Sequence, residues 1–202
     1  LGQPPSTAYK LKHGSTSHGI QFIEDGKRSL PTSYYGELSG VGLAMTHYGN
    51  HGNPEDRQIS QKIGVIGLGV GTLAAYGQTG DTYRFYEINP HIIELAQGQG
   101  DYFSYLADSP AEIEIVMGDG RLSLESELNN QVNHQFDILV LDAFSSDAIP
   151  IHLLTLEAFE LYLEHLKPWG VLAIHISNRH LDLAPVVADI ADQFHLDYAH
   201  IL

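Results

Sequence analysis

Beyond Lys62 the chain alternates short apolar runs with longer stretches in which apolar residues recur every three or four positions. The runs predict strands over about 63–67, 82–87, 112–117, 137–142, 171–177 and 197–202. The stretches between them predict helices around 71–78, 89–97, 121–129, 152–167 and 183–194. Two of the strands, FDILVLD and GVLAIHIS, are almost wholly apolar, as happens when helices cover both faces of a parallel sheet. Strand and helix in regular succession give a doubly wound α/β domain with a mostly parallel sheet. The helix over 152–167 sets Leu153, Leu156, Phe159, Leu163 and Leu166 near one face and Glu157, Glu160 and Glu164 off it, and Pro168 with Gly170 stops it.

Residues 1–60 follow a different rhythm. TAYKLKH and HGIQFI are short β-like pieces, EDGKRSLP is a turn, and TSYYGELSGVGLAM leads as a helix toward the polar loop HYGNHGNPEDRQ. The division expected is a small β-rich segment over 1–60 and a main domain over 61–202. The chain starts without Met and stops at HIL inside a predicted strand, so it reads as a piece whose sheet is short of its last strand.

Composition narrows the chemistry. No apolar run approaches the roughly 18–20 residues that span a bilayer, and the start lacks the order of a signal peptide. The expectation is a cytoplasmic piece that makes no membrane contact itself, tethered only if a longer chain carries an anchor. Absence of cysteine excludes disulfides, thiolate catalysis and cysteine-ligated zinc. Ten basic against twenty-five acidic residues, a formal charge of −15, disfavour a nucleic-acid partner and favour a cationic small substrate.

VIGLGVGTLAAYGQTGDTYRFYEINP carries the central signal. A strand, then glycines at Gly67, Gly69 and Gly71, then a helical segment bring backbone N–H groups close to a ligand. Thr72 stands where the dinucleotide fingerprint needs its third glycine, which argues against NAD. Glu87 ends the next strand twenty residues after Gly67, where doubly wound folds hold a ribose. Asp119, in VMGDG, ends the third strand, placed to accept from an adenine amino group or to cap the following helix. Asp142 ends the fourth strand in FDILVLDAFSSDAIP, and Asp147 follows five residues later in a loop where turn chemistry is an equal reading.

The order HGIQF, SYYGEL, glycine turn, YEINP, GDG and LDAFSSD resembles the spermidine and spermine synthases, the aminopropyltransferases, from about residue 8 to 190. DAFSSDAIP…HISNRHLDLAPVV looks most like the bacterial spermidine-synthase-like domains often fused to a membrane transporter domain. The resemblance implies a Rossmann-like domain of the S-adenosylmethionine-dependent methyltransferase type, with the N-terminal part as lid and as contact of a homodimer or larger homo-oligomer. It implies that Glu87 holds the ribose and Asp119 the adenine of the donor, and that Gln21 and Tyr35 close over it. Asp142 then receives the attacking amine, Tyr35 orients it, and Asp147, Glu37 and Tyr34 face a polycationic acceptor of polyamine type. The donor is decarboxylated S-adenosylmethionine or S-adenosylmethionine, and no metal is called for.

Two departures stand out. The family's glycine turn is G-G-G-D-G-G, whose Asp holds the aminopropyl end of the decarboxylated donor, and this chain has Val70 there. The family's Tyr-His or Tyr-Gln pair is Tyr35-Gly36. Aminopropyl transfer is the leading expectation, methyl transfer the alternative, and a nucleoside sensor without turnover the third. His47 and His51 do not form a metal site, since Gly49 and Asn50 break any helix aligning them. His175 reads as packed in the sheet, with Asn178, Arg179 and His180 at the ligand edge. No G-x-S-x-G elbow points to a serine hydrolase.

Overall fold

A computed structural model describes residues 7–14, 16–48, 60–144, 149–177 and 181–201. The chain opens with an antiparallel hairpin, β1 (Ala8–His13) and β2 (Thr16–Phe22), followed by α1 (Gly40–His47). Then come β3 (Lys62–Ile66), β4 (Thr82–Glu87), α2 (Pro90–Ala96), the one-turn α3 (Tyr105–Asp108), β5 (Glu112–Met117), α4 (Gly120–Asn129) and β6 (Phe136–Leu141). The described chain closes with α5 (Leu156–His165), β7 (Leu166–Ile174) and α6 (Ala184–Gln193). Strands pair in the order β5-β4-β3-β6-β7, all parallel. The fold is the Rossmann-like, doubly wound one expected, with a small two-stranded sheet added.

Alternation along each strand feeds two cores. On one face Ile63, Val65, Tyr83, Phe85, Ile138 and Val140 pack with Met45 of α1 and Ile92 of α2. On the other, Ile66, Tyr86, Leu139 and Leu141 pack with Leu124 of α4, Phe159 and Tyr162 of α5 and Ile190 of α6. Every residue of β6 is buried, which accounts for its unbroken apolar run. Behind the second core Glu127 of α4 accepts from Arg84 (2.6 Å) and from the Tyr86 hydroxyl (2.9 Å), with His134 Nε2 at 3.0 Å. Burial opposes the charge on Glu127, but bonds from His134, Arg84 and Tyr86 outweigh it and lower its pKa to about 2.

Three expectations need correcting. Residues 196–201 form no strand, and Tyr198 and Ile201 are exposed there. Helix α5 ends at His165, and β7 begins at Leu166, ahead of Pro168 and Gly170. Leu156 is exposed at the first residue of α5, while Tyr162, not among the predicted core positions, is fully buried. Among the described residues no helix is long and apolar enough to cross a membrane.

Candidate functional site

The carboxyl ends of β3, β4, β5 and β6 bring Gly67, Glu87, Asp119 and Asp142 to one edge of the sheet. The edge is where the order of a doubly wound sheet turns about β3 and opens a crevice. A cavity of about 380 Å³ lies there, walled by the glycine turn, the strand-end acids, the loop after β6 and, from above, Ser17 and His18 of β2 with Tyr34 and Tyr35.

The glycine turn is built by close approach. Gly67 has φ +101°, and a Cβ on it would stand 2.4 Å from the Asp142 carbonyl oxygen. Gly69 has φ +55°, and its Cβ would meet the His18 carbonyl oxygen at 2.4 Å. That carbonyl also accepts from the Val70 N–H at 3.0 Å, so the hairpin is seated directly on the turn. Val70 itself is fully buried and faces Phe103 and Tyr105, away from the cavity. Gly71 also lies outside the cavity wall; its φ of +83° and the nearby Leu106 side chain give it a packing reason.

Each acid is anchored. Glu87 Oε2 accepts from the Leu68 N–H (3.1 Å) in the turn, and Oε1 accepts from the Asn89 N–H (2.9 Å). Asp119 caps α4, with Oδ1 accepting from the Leu122 N–H (3.0 Å), and it also lines the cavity, with Oδ2 2.9 Å from His152 Nε2. Asp142 is 6% exposed, with the Tyr35 hydroxyl donating to Oδ2 and His175 Nδ1 at 2.7 Å from Oδ1. Burial, then the charge of Asp142, raises the Tyr35 hydroxyl well above its ordinary pKa, so it stays a neutral donor. The Tyr34 ring sits 4.3 Å from that of Tyr35, and burial followed by Asp142 raises its hydroxyl too.

The remaining expected site residues lie elsewhere. Gln21 is 1% exposed and its amide is fully used inside the protein: Nε2 donates to the Arg28 carbonyl (2.9 Å) and to Ser104 Oγ (3.0 Å), and Oε1 accepts from the Ser104 N–H (2.8 Å). It braces the hairpin against α3 instead of reaching the cavity. Glu37 is exposed and off the cavity wall; after burial, its charge helps push the Tyr76 hydroxyl up to about 12. Asp147, Asn178, Arg179 and His180 lie outside the described residues.

Three histidines complete the site. His175 follows β7 directly and its backbone N–H still donates to the Leu141 carbonyl of β6 (3.0 Å), while its ring bonds to Asp142. Its place after a strand end at the ligand edge was the signal available for it. His152 and His18 had none, because the first depends on a turn before α5 and the second on how the hairpin docks. His18 Nε2 is buried without a hydrogen-bond partner, and burial lowers its pKa against the pull of Glu87.

No family model matches the chain. A probable polyamine aminopropyl transferase of Bifidobacterium longum is 30% identical over 121 residues, 56% of this chain and 23% of that protein. An N-terminal histidine N-methyltransferase of Emericella nidulans is 29% identical over 128 residues, 63% of this chain and 22% of that protein. The chain thus spans less than a quarter of either curated relative, on the shares of 23% and 22%. Spermidine synthase from Thermotoga maritima superposes with a TM-score of 0.57 at 18% identity, over 92% of this chain and 62% of that one. A probable spermidine synthase from Corynebacterium glutamicum gives 0.58 at 17%, over 96% and 71%. A SAM-dependent methyltransferase from Agrobacterium tumefaciens gives 0.51 at 12%, over 94% and 59%. These structures share the fold.

Proposed function

Starting from a chain that is spermidine synthase-like in sequence and fold, we propose that it transfers an aminopropyl group from decarboxylated S-adenosylmethionine to a small cationic amine. One observation carries the reading. The cavity is lined by Glu87, Asp119 and Asp142, and no lysine or arginine stands among the described lining residues. Among the described lining residues the carboxylate of intact S-adenosylmethionine meets no lysine or arginine and three acids, whereas the decarboxylated donor and an amine acceptor bring only positive charge to those acids.

The cavity fits a nucleoside. Gly67 and Gly69 keep the turn free of side chains where a ligand approaches, and the Glu87 and Asp119 carboxylates keep lone pairs beyond the bonds they already accept. The bound donor supplies an electrophilic carbon beside a sulfonium, whose C–S bond breaks with its electron pair as the amine nitrogen bonds to carbon. Asp142 holds the amine and takes up the proton that the ammonium must lose, since amines of lysine type, with pKa about 10, arrive charged. Tyr35, a neutral donor, fixes the orientation of that carboxylate. Glu87 and the turn hold the donor in line, which is the larger part of catalysis when the leaving group is already activated.

Methyl transfer from the intact donor is the second reading, favoured by Val70: the position of the family's aminopropyl-binding acid faces the core. Calorimetry with the two donors side by side, and product analysis, test both. Preference for the decarboxylated donor with release of methylthioadenosine is the expected result. Preference for the intact donor with S-adenosylhomocysteine moves the assignment to methyl transfer. Asp142→Asn should abolish turnover and spare nucleoside binding; unchanged turnover removes Asp142 from the reaction.

A further inference from the structure

Both oxygens of Asp142 are engaged, Oδ2 by the Tyr35 hydroxyl and Oδ1 by an imidazole, and the amine must use the lone pairs these leave. His175 Nδ1 lies 2.7 Å from Oδ1, and Ser177 Oγ stands 2.5 Å from His175 Nε2. The Tyr34 ring lies 4.1 Å from the imidazole on one side, and Phe144 meets it at 4.7 Å, edge to face. The imidazole is 19% exposed, so it sits behind Asp142, Tyr34 and Phe144 and is not part of the cavity wall. Tyr34 and Tyr35 are kept neutral by burial and by Asp142, whereas an imidazole is the side chain that changes charge between about pH 5 and 8.

We infer that His175 is a positioning residue that controls, through its own protonation, whether Asp142 can hold a cationic amine in the cavity. The inference rests on the reading that Asp142 receives an amine. With the ring neutral, Nδ1–H donates to Oδ1, fixes the carboxylate together with Tyr35, and leaves its negative charge for the ammonium. With the ring charged, the imidazolium neutralises the same carboxylate at hydrogen-bond distance, and the amine has to compete with it. The effect falls on capture: KM for the amine rises as pH falls, and kcat changes much less.

The test is calorimetric titration of 1,4-diaminobutane, which stays charged throughout, onto the chain saturated with methylthioadenosine, between pH 5.5 and pH 8. Wild type should bind on the order of ten-fold more weakly at the acid end. His175→Gln, which still donates to Asp142 but carries no charge, should lose most of that pH dependence. His18 and His152, which line the cavity, are untouched by that change, so the difference between variant and wild type reads His175 alone. Parallel loss in His175→Gln overturns the inference and leaves the amine reading standing. A wild type that binds methylthioadenosine but no diamine at any pH overturns both.

His175→Phe keeps the ring packing and removes the donor. It should bind more weakly than wild type at pH 8, where the neutral ring donates to Asp142, and wild-type affinity there denies the positioning role. Should the variants not fold, the His175 ring titration in wild type, followed by NMR, still decides. By reciprocity, diamine must shift its midpoint to lower pH, and an unmoved midpoint overturns the inference.

Discussion

Glu87→Gln separates a residue that only touches ligand from one that also builds the turn. Both carboxylate oxygens accept from backbone donors, Leu68 N–H at 3.1 Å and Asn89 N–H at 2.9 Å. Glutamine keeps one acceptor oxygen and replaces the other with an NH₂ group, so one amide loses its partner and meets another donor. A hydrogen bond to a charged group contributes about 1.5–3 kcal/mol, and half-burial of Glu87 points to the lower end. For a chain of this size each kcal/mol moves the melting midpoint by about 2–4 °C. The ligand-free variant should therefore melt roughly 3–6 °C lower. Leu68 lies between the two glycines of the turn, so methylthioadenosine affinity should fall as well, on the order of ten-fold or more. Scanning calorimetry without ligand and titration with it give the two numbers. If the free variant melts within a degree of wild type, the carboxylate does not hold the turn and the reasoning fails.

Two further outcomes follow from the same contacts. Gly69→Ala adds left-handed strain of about 1–2 kcal/mol to a clash with the His18 carbonyl; the expected result is lost nucleoside binding and faster hydrogen exchange at the Val70 N–H, with circular dichroism unchanged. Glu127, whose pKa falls from 4.5 to about 2 in the fold, contributes stability that is complete above its unfolded pKa and disappears as pH drops from there through its folded value. Acid melts should be shallower for Glu127→Gln than for wild type below pH 4.5, and parallel curves would sink the assignment.

How far the sequence could be read depended on what each residue had to satisfy. The inner strands β3, β4 and β6 were visible because both of their faces are covered, and Glu87, Asp119 and Asp142 because strand ends in such a sheet are fixed points. The predicted strand at 197–202 had the right residue types, but 197–201 pair with no strand of the sheet and leave Tyr198 and Ile201 exposed. Gln21 has the chemistry of a ligand contact, yet its three bonds to Arg28 and Ser104 depend on how the hairpin meets α3, a contact across 83 positions for Ser104. His175 keeps its backbone bond to β6, but its ring contact with Asp142 was hidden, because polarity inside an apolar run does not say what the side chain meets. Periodicity describes faces, and these residues are decided by docking.

Val70 shows what that docking costs the family pattern. It is fully buried, and a Cβ on Gly19 would stand 2.4 Å from its Cγ2, so the valine fills the space that glycine leaves in β2. The position that carries the family's acid here holds the hairpin down. Val70→Asp should therefore not restore a contact with the aminopropyl group. It buries a carboxylate among Phe103, Tyr105 and Gly19, and an unpaired buried carboxylate costs several kcal/mol. At about 2–4 °C per kcal/mol the midpoint should drop by roughly 10 °C. Burial would raise the new group's folded pKa, so the deficit should be largest at pH 8 and shrink toward pH 4.5 as the folded state takes up a proton that the unfolded state does not yet bind. Melting at the two pH values, with donor titrations alongside, decides the matter. A Val70→Asp protein that melts like wild type and binds the decarboxylated donor more tightly would mean that the turn can deliver residue 70 to the cavity, and that the hairpin is not seated on it in the way the His18 and Val70 contacts describe.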